Sequence, residues 1–319
     1  MKKHSMWTNP GVPTPRKSLI LLAGLGVLLS GTLRDTAQAQ PKEDSTVVVL
    51  LGTGMPRPNP AASGPATAVV VDSNVFLVDA GPGVERQLSA AGLPINGVTA
   101  VFITHLHTDH TLGYPDLIFT SWVMGRKGPL IVYGPPGLRR MTEHLMAAYS
   151  EDIAVRIHGL EHEPGEGYKV TVHEIAPGVV YDSLGVKVTA ISVQHGNWES
   201  AFAYRFDTPD RSVVISGDTR FSENLIAHSK GVDVLVHEVY SAAHLKPESR
   251  PGGEDWPRYM HEFHTSDFEL GKLAARVQPK LLILTHLIRM GASDDELIAG
   301  VRAGGYQGAV VVGHDLDRH

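Results

Sequence analysis

Six residues constrain this chain more than any others: His105-Leu106-His107-Thr108-Asp109-His110, directly after the apolar run Val101-Phe102-Ile103. Three imidazoles and a carboxylate in so short a stretch need a rigid edge to hold them and something to bind. In an extended segment, side chains at i, i+2 and i+4 share a face. His105, His107 and Asp109 are therefore expected to point the same way, with a turn at Asp109 bringing His110 into the same space.

Ligand-type residues then recur at the ends of apolar runs. His195 follows Val186–Val193, Asp218 follows Val213–Ser216, Glu238 follows Val232–Val236, and His286 follows Lys280–Thr285. Strand ends on one rim of a sheet converge in space, and the ligand sites of open α/β sheets collect there. His105, His107, Asp109, His110, His195, Asp218 and His286 exceed what one tetrahedral zinc needs. They suit two metals ~3.5–4 Å apart sharing a carboxylate. With no cysteine in the chain, disulfides, a thiol nucleophile and thiolate ligands are excluded. Any metal must be held by imidazole and carboxylate.

The rest of the sequence alternates short strands with helices, which predicts an α/β protein with buried sheets covered by helices. Ala68–Val71 and Val75–Val78 read as a hairpin around Asp72-Ser73-Asn74, and Val84–Ala91 and Leu138–Tyr149 as helices. Residues 150–180 give no clear pattern. Lys246–His261 reads as a loop, either a lid or plain surface. Ser266 with Glu269 has the spacing of a capping box, and Phe268, Leu273 and Val277 give the helix that follows an apolar side. His158, His162 and His173 are expected to face solvent. His314-Asp315 either supports the ligands from behind or is structural. Trp122, Trp198 and Trp256 are candidates to line a substrate pocket, and Trp198, three residues past His195, is the best placed.

The six-residue run matches the His-x-His-x-Asp-His signature of the metallo-β-lactamase fold. Leu51-Gly52-Thr53-Gly54, Asp79-Ala80-Gly81-Pro82-Gly83, Gly113-Tyr114-Pro115, Tyr133-Gly134-Pro135, Ser216-Gly217-Asp218-Thr219, His237-Glu238 and Leu284-Thr285-His286 extend the likeness over nearly all of residues 40–319. Together they resemble the ribonuclease Z and secreted arylsulfatase-like branch. The resemblance implies an αββα sandwich with two zinc ions at one sheet edge, manganese or iron being alternatives. It implies that His105, His107 and His195 hold one metal, that Asp109, His110 and His286 hold the other, and that Asp218 bridges. His264-Thr265-Ser266 is similar to an extra His motif of that branch, usually His-Ser-Thr. The likeness gives His264 a role in assisting the leaving group, with Glu238 orienting it. Asp109, His264 and Glu238 are the catalytic set it implies.

Residues 1–39 read as a removable leader. Lys2, Lys3, Arg16 and Lys17 precede the apolar run Leu19–Leu29, and Ala37-Gln38-Ala39 offers a cleavage site after Ala39. This predicts one domain over 40–319 in the periplasm or outside the cell, with no stable membrane insertion. The whole chain carries −6; without residues 1–39, 23 basic residues face 33 acidic ones, giving −10. An acidic body lacks the footprint expected for long nucleic acid. Only residues 196–217 separate His195 from Asp218, too few for the RNA-gripping arm that bacterial ribonuclease Z enzymes commonly insert there. The expectation is therefore an exported hydrolase, possible as a homodimer, that cleaves a small anionic ester by metal-hydroxide attack. A phosphodiester or an aryl sulfate fits. Alternatives are zinc β-lactamase or ribonuclease Z-like nuclease activity, or a periplasmic metal-binding module without turnover.

Overall fold

A computed structural model describes residues 46–163, 165–247 and 255–319. The expected leader and its cleavage point lie outside them. No helix among the described residues is long and apolar enough to cross a membrane.

Two sheets carry the architecture. The first contains β1 (Thr46–Gly52), β2 (Ala66–Val71), β3 (Asn74–Val78), β4 (Val98–Phe102), β5 (Leu130–Gly134) and β6 (Val170–Glu174), in that spatial order. The second contains β7 (Gly178–Ser183), β8 (Val186–Val193), β9 (Ala201–Asp207), β10 (Ser212–Ile215), β11 (Val234–Tyr240), β12 (Leu281–Ile288) and β13 (Ala309–Val312), adjacent in sequence order. Each sheet is antiparallel where hairpins join neighbours and parallel where helices intervene: β3 to β6 in the first, β10 to β13 in the second. The β2–β3 hairpin turns at Asp72, whose φ of 53° suits an Asp in a tight turn.

Strand alternation explains the layering. Val48, Leu50, Phe76, Phe102 and Val69 point inward from the first sheet and meet Val188, Tyr204, Phe206, Val213 and Val236 from the second. Phe102 lies 5.4 Å from Tyr204 and 5.5 Å from Phe206, edge-on to the latter, the geometry aromatic pairs prefer. Truncating a residue so buried to Ala costs ~3–5 kcal/mol. The outer face of the first sheet packs on helices through Leu77, Leu88, Leu117 and Trp122, and that of the second through Leu235, Leu270, Leu273 and Leu297. The result is the expected αββα sandwich.

Three sequence readings need correction. Residues 150–180 hold the helix Ser150–His158 and strands β6 and β7. The segment read as a loop ends in a helix, Trp256–Phe263, capped by Asp255 and started by Pro257, a residue that suits a first turn because its missing N–H has no partner there. Phe268 is 41% exposed rather than part of an apolar face, because Leu270, Leu273, Ala274 and Val277 make the contact; the Ser266–Glu269 capping box is present.

Candidate metal centre

β4 stops at Phe102, and the chain stays extended only as far as His107, which has φ −61° and ψ 150° and caps the short helix Thr108–Thr111. Asp109 and His110 are thus presented by a helical turn, not by the continuous extended run that the i, i+2, i+4 spacing suggested. His195 follows β8. Asp218 follows β10 after Gly217, at φ 56°; a Cβ on Gly217 would sit 2.8 Å from Thr104 Cβ and 2.9 Å from the Phe202 carbonyl oxygen. Only glycine lets the chain turn there. Glu238 lies inside β11 rather than after it. His286 lies inside β12 as an extra residue: Glu238 pairs with Thr285 and Val239 with Leu287. The bulge, with His286 at φ 43°, turns the imidazole toward the rim.

All seven residues named from the sequence gather here. His105, His107, His195 and Asp218 form one group, Asp109, His110 and His286 another, and Asp218, His264 and His286 a third that overlaps them, with potential ligand atoms within 4.8 Å of one another in each. Asp218 joins them: Oδ1 is 3.3 Å from His110 Nε2, and Oδ2 is 3.5 Å from His286 Nε2, 3.8 Å from His195 Nε2 and 3.9 Å from His105 Nε2. His286 Nε2 is 3.2 Å from Asp109 Oδ2.

Hydrogen bonds behind the cluster set which ring nitrogens face it. Asp79 accepts from the Thr104 backbone N–H at 2.8 Å, from the Thr104 hydroxyl and, at 2.7 Å, from His110 Nδ1. With its proton committed to Asp79, Thr104 Oγ1 accepts from His105 Nδ1 at 3.0 Å. The Phe263 carbonyl accepts from His195 Nδ1 at 2.7 Å. The rings of His105, His110 and His195 are thereby fixed with Nε2 facing the centre, as metal-binding histidines require. His110 Nε2 and Asp218 Oδ1 are buried and make no hydrogen bond. This donor set fits divalent cations.

Charge agrees with that fit. Burial holds His105 well below the usual imidazole range, pushes His195 down to about 3 and lowers His107, so all three offer neutral nitrogen. For His110 and His286 burial acts downward too, but the Asp218 charge, helped by Asp79 at His110 and by Asp109 at His286, holds both above it. Burial disfavours ionised Asp109 and Asp218, yet the surrounding imidazoles keep both below the carboxylate norm. Positive charge is wanted at this centre.

His264 forms its wall. Its Nδ1 lies 3.2 Å from both Glu238 oxygens and 3.9 Å from Asp218 Oδ2, and its ring stacks on His286 at 5.7 Å. Glu238 also accepts from the Thr219 and Thr265 backbone N–H groups. Burial pushes its carboxyl up, with His264 opposing.

One support was missed in the sequence. Asp79, quoted only as part of a Gly-rich run, anchors Thr104 and His110; its signal was a carboxylate directly after a buried strand, at φ 63°. Trp198, the pocket candidate, lies against the ligands: its indole N–H donates to His107 Nε2 at 2.8 Å. Trp122 is buried in the core. His158, His162 and His173 are exposed.

The Beta-lactamase superfamily domain model matches residues 74–287. A ribonuclease Z of Mycobacterium sp. strain KMS is 35% identical over 278 residues, covering 85% of this chain and 94% of the relative. The chain belongs to the beta-lactamase superfamily, on its ribonuclease Z-like branch. Among solved structures, the metallo-beta-lactamase fold protein YhfI from Bacillus subtilis has a TM-score of 0.67 at 18% identity, covering 86% of this chain and 98% of that one. Human tRNase Z, short form, has 0.64 at 21%, also covering 86% and 98%. This is a metallo-β-lactamase fold hydrolase, and family and cluster together suggest metal binding, typically zinc. The exclusion of long nucleic acid is overturned by these relatives, which are named for cutting RNA. Net charge failed as a guide because it sums the whole chain and says nothing of where the charge lies.

Proposed function

We propose that this chain is a ribonuclease Z-like phosphodiesterase that hydrolyses RNA with two divalent cations, zinc for preference. The observation that carries this reading is Asp218, grouped with His105, His107 and His195, 3.3 Å from His110 and 3.5 Å from His286 of the second group, and flanked by the His264–Glu238 pair. His105, His107 and His195 would hold one cation, and Asp109, His110 and His286 the other, with Asp218 common to both. When bound, the pair supplies a water acidic enough to act as nucleophile near neutral pH and positive charge against the phosphate. Glu238 holds His264 by Nδ1, leaving Nε2 to give a proton to the departing oxygen. Asp79 and Thr104 keep the imidazoles from rotating.

The test is cleavage of a precursor tRNA and of a bis-aryl phosphodiester, with metal content measured on the same sample. Both are expected to be hydrolysed, and chelation to abolish turnover. His264→Ala is expected to lower turnover ~10²–10⁴-fold with metal retained. Metal loss in that variant would make His264 a ligand instead. Export is a separate proposal: protein recovered from the periplasm should begin at Gln40.

A further inference from the structure

The helix Trp256–Phe263 ends against the loop that carries His195, and its last residue meets that loop with both ring and backbone. The Phe263 ring closes a ladder: Trp256 lies on Tyr259 at 5.2 Å and 11°, and Tyr259 on Phe263 at 4.2 Å and 16°. Trp256 and Tyr259 also line a groove of about 1100 Å³ that His264 shares, so the ladder runs from that groove to the centre. At its inner end Phe263 meets the His195 ring edge-on, at 5.1 Å and 83°. The far edge of the Phe263 ring rests on Gly196. A Cβ there would fall 2.0 Å from Cζ and 2.2 and 2.3 Å from the two Cε carbons. Gly196 also has φ 51°, so both space and backbone ask for glycine. Its N–H donates to the Glu262 carbonyl at 3.1 Å.

Two working groups of the centre hang on Phe263. Its carbonyl accepts from His195 Nδ1 at 2.7 Å, and the next residue in the chain is His264, whose ring stands 5.2 Å from that of His195. An ion pair between Arg220 and Glu262 also ties the helix end to the rim, but both side chains are partly exposed and such pairs contribute little. The ring, held between Tyr259 and Gly196, is the tighter constraint.

We infer that Phe263 is a positioning residue for the centre: its ring, seated in the socket at Gly196, aims its own carbonyl at His195 and sets His264 beside it. The inference rests on the proposed function for the cation at His105, His107 and His195. Phe263 does no chemistry itself. It acts through His195, whose Nδ1 proton and Nε2 direction depend on where that carbonyl points.

The experiment withdraws zinc from the loaded, full-length protein with a chromophoric chelator, while circular dichroism reads the folded fraction. Wild type is expected to release a pair of zinc ions. Phe263→Ala keeps the carbonyl and loses only the ring. It should bind one zinc about 10–100-fold more weakly, the usual cost of losing a partner behind a ligand, and the other as wild type does. Gly196→Ala displaces the ring and should do the same, and Gly196→Ala/Phe263→Ala should be no weaker than Phe263→Ala, because both act through one contact. Cobalt in the weakened site should show a changed visible spectrum. A ring that only fills space would lower the melting temperature and leave the metal alone, so full zinc affinity in folded Phe263→Ala overturns the inference. Losses that sum in the double variant overturn it too. If Gly196→Ala does not fold, Phe263→Ala decides. A protein with this ring dependence that cuts no RNA would remove the proposed function alone. One that cuts RNA while its zinc affinity ignores the ring would remove the positioning role alone.

Discussion

Two carboxylate clusters in this molecule look alike in sequence and differ in kind. Asp218 follows Gly217, and Asp315 follows Gly313-His314, each just beyond a strand of the second sheet. Asp315 is saturated: Oδ1 accepts from the Thr53 backbone N–H and hydroxyl at 2.9 Å each, and Oδ2 from the Ser63 N–H at 2.7 Å and Gln87 Nε2 at 2.6 Å. His314 turns outward to Asp294 and Asp317. Asp218 is buried where Asp315 is half-buried, yet imidazoles ring it and Oδ1 makes no hydrogen bond. A staple spends its acceptors on the chain's own donors, whereas a binding centre keeps them for a guest. The open question of whether His314-Asp315 backs the ligands is thereby answered: it ties the Thr53–Ser63 loop to the C-terminal strand.

The contrast makes opposite demands on the two carboxylates. Asp218→Ala should give the largest effect, loss of metal and of measurable phosphodiester turnover; elemental analysis showing full metal in that variant would break the comparison. Asp315→Ala strands the N–H and hydroxyl of buried Thr53, each costing ~1–3 kcal/mol, along with the half-buried Ser63 and Gln87 donors. It should lower the thermal midpoint by several degrees while metal content stays full.

Trp198 offers a finer test. Indole only donates, so its bond requires a lone pair on His107 Nε2 and places the ring proton on Nδ1, 2.9 Å from His105 Nε2 and 3.0 Å from His195 Nε2. A cation taking Nδ1 moves that proton to Nε2 and displaces the indole. Metal loading is therefore expected to shift the tryptophan emission, and Trp198→Phe to remove the shift; an unchanged spectrum in wild type counts against Nδ1 as the ligand atom.

The smallest effect concerns a buried carboxylate outside both clusters. Glu85 is 3% exposed with neither oxygen hydrogen-bonded, and burial, reinforced by the Asp116 charge, pushes it up to about 8. A folded value above the unfolded one means the folded chain binds more protons. The stability this contributes is complete below about 4.5 and lost as pH rises toward about 8. Glu85→Gln should flatten the melting profile across that window and raise the midpoint at its alkaline end. A profile parallel to wild type contradicts it.

What the sequence could carry follows from what each residue does. Apolar runs ending in His, Asp or Glu exposed the sandwich and its rim, because strand burial and ligand chemistry are both written in local pattern. The supports were harder to read: Asp79, Thr104 and the Phe263 carbonyl act across gaps of 25 to 68 residues, and a backbone oxygen has no letter. The helix Trp256–Phe263 was hidden by its own Pro257 and the Pro- and Gly-rich stretch before it.

One consequence remains in β12. Up to Leu284 the strand keeps strict parity, with Leu282 and Leu284 toward the helices and Ile283 toward the opposing sheet. The odd residue at 286 inverts it, so Leu287 joins the side of Leu284 and Ile288 swings to the floor beneath Trp256 and Tyr259. One supernumerary amino acid thus sets both a ligand's aim and the chain's facing thereafter. Deleting it would turn the downstream residues over, and a ligand of the centre and the packing of Ile288 on Tyr240 and Met260 would be lost in the same stroke.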